Sequence, residues 1–324
     1  MALPAIDAMT SAWSGATIDL FVGRHSQAAF AFRPALTKRS IPDSFDLRAA
    51  LQLAALLRTG RYDADVTLDR SRWLRLAARL SQVPVTANAC SMTPELRHES
   101  EVYLDVVRQM GIPTPMSQPS IIPSPASRRR ADEPLSGLAG PFAVLHPGGA
   151  QNPGVDMLDK RWPADRFVEL ARRLVNDGVA VLVSGGPGDV TTARLVAEQA
   201  GIPENHVLAG RTDIETLAAI LIRASVYVGP DTGVSHVAAA TGVSTIAIFG
   251  PTNPRRYRPL GRDVRVLAPA ESWQIADRDL RRRASVDARS PRSVSRSTAS
   301  SRQLERRSTA SMELANAASN VERP

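Results

Sequence analysis

The chain has 324 residues, 40 Lys and Arg against 32 Asp and Glu for a net charge of +8, and a hydrophobic fraction of 43%. That length allows two domains, each able to bury its own core. The single Cys90 excludes an internal disulfide framework and any multi-cysteine metal site, which fits a reducing compartment, and implies no thiol chemistry. The start, MALPAIDAMTSAWSG, has neither a basic leader nor a continuous apolar stretch, and nothing in the chain approaches about 18 unbroken apolar residues, so a cytoplasmic protein is expected. The charge is unevenly placed. From Arg278 onward there are eleven Arg against five acids, leaving the remainder near neutral, and no aromatic residues interleave the basic ones to stack bases. Nucleic-acid binding is therefore a weak reading.

In chain order, ATIDLFVG reads as a strand, DLRAALQLAALL as a helix, YDADVTLD as a strand, SRWLRLAARL as a helix, and SEVYLDVVRQMG as a further helix. Alternation of this kind argues for parallel βα units over residues 1–112. From Pro113 to about residue 140 the text is rich in Pro and Ser with a short Arg run, and reads as a linker.

Over residues 141–271 the pattern returns more strongly, with strands FAVLHPG, VAVLVSGG, HVLAG, SVYVGP, STIAIFG and VRVLAP. In the first intervening helix Phe167, Leu170, Ala171, Leu174 and Val175 share one face, while charged residues occupy the other. The next good helix repeats the spacing with Ile214, Leu217, Ala218, Leu221 and Ile222, and Thr212 to Glu215 matches a capping box. Two such α/β halves imply a cleft where ligands gather at the carboxyl ends of strands. Residues 272–324 lose apolar periodicity and are expected to be a disordered Arg/Ser-rich tail.

Four loops follow strands of the second half and so share one rim of its sheet. HPGGAQNPGVDMLDKRWP brings Gly148 and Gly149, which permit close backbone approach, and Lys160, a cation just before a helix opened by Pro163; the alternative is plain helix-start chemistry with a solvated lysine. SGGPGD, containing Gly186, either cradles phosphate or turns the chain. In LAGRTDIE, Thr212 is either a ligand or a helix cap. VGPDTGVSHVAAATG starts a helix near Thr232 or Gly233, so unpaired backbone N–H groups meet Asp231, Thr232, Gly233 and His236 at one corner suited to an anion. Its alternative is an Asp231 or Thr232 cap beside a satisfied core histidine. In FGPTNPRRYRP, Arg255, Arg256 and Arg258 are either surface charges or contacts to an anionic acceptor. A metal at Asp156 and Asp159 lacks an accompanying histidine, and a hydrolase triad lacks a nucleophile elbow around Ser235.

Together and in this order, HPGG, DKRWP, SGGPGD, AGRTDIETLAAIL, VGPDTGVSHVAAATG and IAIFGPTNP resemble the signature of glycosyltransferase family 9, the ADP-heptose:lipopolysaccharide heptosyltransferases. The likeness is strongest from Phe142 to about Pro259 and weaker in the first half. It implies a GT-B architecture, two Rossmann-like domains facing a cleft, with a nucleotide-sugar donor, an ADP-sugar, in the second and a glycan or lipid-linked acceptor in the first. It also implies an inverting displacement with no tightly held metal and no cofactor, in lipopolysaccharide core synthesis, with peripheral contact to the anionic inner face of the membrane. A nucleotide-sugar-binding protein of the same fold without catalysis is the alternative. The donor residues it implies are Gly148, Gly149, Lys160, Gly186, Thr212, Asp231, Thr232, Gly233 and His236, with Asp231 assigned to a sugar hydroxyl or to its own loop's amides. Family members open with a strand and a Gly-rich turn bearing an Asp base. Met1 here falls within what reads as the following helix, so the first domain is expected to lack that strand, and Asp69 is the substitute to consider.

Overall fold

The computed structural model describes residues 1–43, 45–89, 97–115, 117–149, 151–152 and 155–274. The chain divides into two compact units, Met1–Pro119 and Ser120–Pro324.

The first unit runs α1 (Leu3–Ala12), β1 (Asp19–Gly23), β2 (Thr37–Ile41), α2 (Leu47–Thr59), β3 (Ala64–Thr67), α3 (Arg72–Ser81), β4 (Val85–Asn88) and α4 (Glu99–Arg108). Local chemistry sets the helix limits. Asp46 caps α2 by accepting from the Ala49 amide at 2.8 Å, and Ser71 caps α3 while Gln82, at φ 62°, ends it in the left-handed region. The strands form two parallel pairs, β1 with β2 and β3 with β4, and no strand among the described residues joins the pairs. One core lies between α1 and α4, around Ile6, Met9, Leu104 and Val107, and another beneath α2 and α3, around Leu53, Leu57, Ala77 and Val83.

The second unit begins earlier than the sequence pattern suggests. Pro125–Leu135, inside the expected 113–140 linker, is helix α5, capped by Ser124 through the Ser127 amide at 3.1 Å. Ala131 and Ser127 are buried, and Arg130 bonds Thr216 and Asp213. The Pro and Ser that resemble a linker are helix-start residues here, and the arginines are tied down. Only the stretch up to Pro119 stays in the first unit.

Next come β5 (Phe142–Leu145), the short antiparallel pair β6 (Gln151–Asn152) and β7 (Val155–Asp156), α6 (Ala164–Asn176), β8 (Ala180–Val183), α7 (Val190–Ala200), α8 (Ile214–Leu221), β9 (Val226–Pro230), α9 (Gly233–Thr241), β10 (Ser244–Ile248), α10 (Pro254–Tyr257) and β11 (Val264–Leu267). Five strands make one parallel sheet in the order β11-β10-β9-β5-β8. β5 and β9 are buried along their whole length, as a sheet covered on both faces requires. The expected strand HVLAG contributes only one bridge, Val207 with Val183, because a 3-10 turn at Glu204–His206 leads into it and Gly210, at φ +71°, turns the chain away. Ala270–Gln274 forms a short 3-10 turn with Ser272 buried, so the fold reaches slightly into the expected tail; the rest of that tail, residues 275–324, lies outside the described residues.

Candidate functional site

The order of the five strands places the site. From β5 the chain steps to β8 on one side, then returns to β9 on the other, so the crevice at the carboxyl ends of β5 and β9 is the switch point where such sheets receive ligands. The loop after β5 is His146–Gly149, and the turn after β9 is Asp231–Gly233. They meet. Gly149 sits at φ +87°, and a Cβ there would come within 2.5 Å of the Thr232 methyl.

A buried carboxylate holds three of the loops together. Asp189 accepts from the Gly149 amide at 3.0 Å, the Gly186 amide at 2.9 Å and the Arg161 guanidinium at 3.4 Å. Arg161 also donates to the Gly149 carbonyl at 2.8 Å. The expected residues Gly148, Gly149 and Gly186 are thus brought to one place by two residues outside the expected set, Asp189 and Arg161. Gly148 is compulsory for this packing, since a Cβ there would lie 2.1 Å from the Asp189 carboxyl carbon.

Behind them His146 is 2% exposed. Ser184 Oγ donates to the Leu145 carbonyl at 3.2 Å, which leaves it to accept from His146 Nδ1 at 3.1 Å. The proton therefore sits on Nδ1, and Nε2 faces Gly149, 3.4 Å from where a Cβ would be. Burial pulls the imidazole down to about 4, with Asp189 opposing and Arg161 assisting, so it is neutral at pH 7. A buried histidine beside a glycine pair was visible in the motif, but only its environment tells that it fixes the loop.

The second cluster is electrostatic. Leu158–Lys160 is a 3-10 turn, and Trp162 anchors its end edge-on against Phe167 of α6, ring centroids 4.9 Å apart. Lys160 thereby reaches Asp231, Nζ to Oδ2 3.0 Å, with side chains 14% and 7% exposed. The Thr252 hydroxyl donates to the same oxygen at 2.7 Å. Among the described residues Asp231 therefore pairs with Lys160 and Thr252, and not with its own loop's amides. Gly250 keeps this approach open, because a Cβ there would lie 2.5 Å from the Asp159 carbonyl oxygen.

At the start of α9, Thr232 occupies the cap position in extended conformation but makes no capping bond, and its Oγ1 is buried with no partner in hydrogen-bond geometry among the described residues. The Tyr227 hydroxyl lies nearby and bonds Ser235 Oγ at 3.1 Å; burial raises the Tyr227 pKa while Ser235 and Thr232 lower it. Gly233 is exposed with open space where its Cβ would be, and the amides of Gly233 and Val234 open the helix without intrahelical partners. Half-buried His236 sits on the same first turn. The arrangement offers an anion a helix start, an ammonium and a threonine hydroxyl.

Two expected residues stand apart from these contacts. Thr212 donates to the Leu208 carbonyl at 3.4 Å, and Asp213, not Thr212, caps α8 through the Thr216 amide at 2.7 Å, which corrects the expected capping box. Asp69 lies in the first unit, exposed, and accepts from the Ser71 amide at 2.6 Å in the turn before α3. Of the three arginines after β10, Arg256 is buried and lies over the Tyr257 ring at 5.2 Å.

The glycosyltransferase family 9 (heptosyltransferase) model matches residues 45–284. Lipopolysaccharide heptosyltransferase 2 of Salmonella typhimurium is 34% identical over 113 residues, which cover 33% of this chain and 32% of that protein. The matched stretch thus spans about a third of such a curated relative's length. The family 9 glycosyltransferase structure from Veillonella parvula superposes with a TM-score of 0.69 at 21% identity, covering 96% of this chain and 92% of the other. An E. coli heptosyltransferase structure with ADP-2-deoxy-2-fluoro heptose gives 0.59 at 20% identity, covering 88% and 95%. These likenesses show the GT-B fold of Rossmann-like units that the parallel sheets display. By its sequence the chain belongs to glycosyltransferase family 9.

Proposed function

We propose that the chain is an inverting glycosyltransferase that moves a heptose from an ADP-sugar to a lipid-linked glycan of the lipopolysaccharide core. The observation that carries this reading is the corner formed by Lys160, Asp231, Thr232 and the start of α9 at the switch point of the sheet. An acceptor hydroxyl attacks the anomeric carbon, the bond from that carbon to the diphosphate oxygen breaks, and the hydroxyl proton passes to a base. Charge then grows on the departing diphosphate. The amides of Gly233 and Val234 and the Lys160 ammonium take it up, and they act most strongly in the transition state because they are already oriented. Thr232 Oγ1 supplies a further polar contact, and Asp231 steers Lys160 and meets a sugar hydroxyl. No cofactor enters the scheme, and the acceptor's lipid places the enzyme at an anionic membrane face.

Calorimetry with ADP-, UDP- and GDP-sugars tests the donor. Preference for the ADP-sugar supports the reading; binding of none of them removes it. Donor binding without turnover on a lipid-linked acceptor would favour the noncatalytic nucleotide-sugar-binding alternative, which the engagement of Asp69 in a turn makes concrete.

A further inference from the structure

Among the described residues Tyr227 is the largest side chain that the fold buries completely, and a phenol in such a place needs a partner for its hydroxyl. The geometry of β9 supplies one at a distance. Residues 227 and 229 share one face of the strand, and position 229 is glycine, where a Cβ would collide with the Tyr227 hydroxyl. The phenol therefore lies along the strand toward its carboxyl end, beside the His146 ring with centroids 6.4 Å apart. There its oxygen meets Oγ of the fully buried Ser235 at 3.1 Å, in the first turn of α9. Ser235 has one hydroxyl proton, and the Pro230 carbonyl 2.6 Å away can only accept it, so the Tyr227 hydroxyl is the donor to Ser235. The result is a one-way chain, Tyr227 to Ser235 to Pro230, that ties the end of β9 to the start of α9.

The segment tied in this way carries the atoms that meet the diphosphate in the function proposed above. Gly233 and Val234 lie between Pro230 and Ser235, and their amides have no partner within the helix. Thr232 stands at the cap position without a capping bond, so the usual cap does not fix this turn. We infer that Tyr227 and Ser235 are positioning residues for the donor: they hold the unpaired amides of Gly233 and Val234 toward the diphosphate without touching it themselves. The inference rests on the donor reading for the identity of the anion, and on the hydrogen-bond chain alone for the hold on the turn. Burial of a hydroxyl is not enough to give such a role. Thr245 is 1% exposed and donates to the Val243 carbonyl at 2.9 Å, but it lies at the amino end of β10, at the opposite rim of the sheet.

Calorimetry of the full chain with ADP and with ADP-heptose tests this. ADP carries on its terminal phosphate the charge that grows on the leaving group, so well-aimed amides favour it more than they favour the sugar ester. Tyr227→Phe, which keeps the ring and removes the donor, should weaken ADP about tenfold and ADP-heptose about threefold. Ser235→Ala should weaken ADP further, and adding Tyr227→Phe to it should cost no more affinity, because the phenol acts only through Ser235. Thr245→Val should leave both affinities unchanged. Equal losses for the two ligands, an added loss in the double variant, or undiminished affinity in Tyr227→Phe would each overturn the inference. Exchange of the Ser235 amide, which donates to the Thr232 carbonyl at 3.2 Å, reads the hold on the turn without any ligand. It should quicken at least about tenfold in Tyr227→Phe and stay as it is in Thr245→Val. Binding of neither ligand by the native chain would remove the donor reading and leave these exchange rates to decide, with unchanged exchange in Tyr227→Phe overturning the positioning role.

Discussion

Lys160 and Asp231, 71 residues apart in sequence, form an ion pair at 3.0 Å that is almost closed to water. Removing one partner strands the other. Lys160→Ala should therefore cost about 2 to 4 kcal/mol of stability as well as donor affinity, because among the described residues the Asp231 carboxylate then keeps only the Thr252 hydroxyl. Adding Asp231→Asn to that variant should restore most of the stability and none of the affinity. Thermal melts and calorimetry on the three variants check this; a double variant as unstable as the single would mean that the pair does not carry the loss.

Glycine substitutions separate folding from binding. At Gly148 a Cβ would collide with Asp189, so Gly148→Ala should lower stability by about 3 kcal/mol. At Gly233 a Cβ meets nothing within 4 Å, and alanine suits the first turn of a helix. Gly233→Ala should therefore keep or slightly raise the melting temperature while weakening the ADP-sugar tenfold or more, since the methyl stands where the diphosphate would approach. Undiminished affinity in this variant would place the diphosphate elsewhere.

His146 gives the second unit a pH dependence with a definite sign. Its folded value, about 4, lies below the ordinary 6.5, so the unfolded chain takes up the proton first as pH falls. The stabilisation is complete above about pH 6.5 and declines between there and pH 4, by about 3 kcal/mol in all. Asparagine keeps a donor toward Ser184 but does not titrate. The stability advantage of the native chain over His146→Asn should shrink by that amount between pH 7 and pH 4. Denaturant melts at several pH values measure it, and a constant difference would show that folding does not shift the His146 pKa.

Much of the second unit was legible because its strands are short apolar runs and its helices keep a 3.6-residue period; β5, α6, β8, α8, β9, β10 and β11 all stand where that pattern puts them. The pattern misled where composition imitates a loop. α5 reads PASRRRADEPL and has little apolar face, yet Ser124 caps it and Arg130 and Arg223 fasten it, and those contacts depend on partners about 90 residues away. In the first unit β2, TKRSI, is polar and half exposed, so alternation alone does not reveal it. The site divides in the same way. Lys160, Asp231, Thr232 and Gly233 announce themselves by chemistry at a helix start, while the partners that shape it, Asp189, Arg161 and Thr252, sit in ordinary-looking turns and become visible only through their bonds.

The two units should differ in local stability. Among the described residues every strand of the first unit belongs to a two-stranded pair, so each leaves one edge of backbone groups outside a sheet, and β1 to β3 have no fully buried residue. In the second unit β5 and β9 are flanked by strands on both sides and buried throughout. Opening β1 or β3 exposes only half-buried side chains such as Leu20, Phe21 and Val66, whereas opening β5 or β9 exposes fully buried strands at the centre of the sheet. Amide exchange followed by mass spectrometry should find peptides over β1 and β3 exchanging at least about a hundredfold faster than those over β5 and β9. Excess ADP-sugar should slow exchange in the first turn of α9 first, because the amides of Gly233 and Val234 face the diphosphate in the reading given above. Equal protection in the two units would mean that the first unit's strand pairs are supported by more than the packing of α1 to α4.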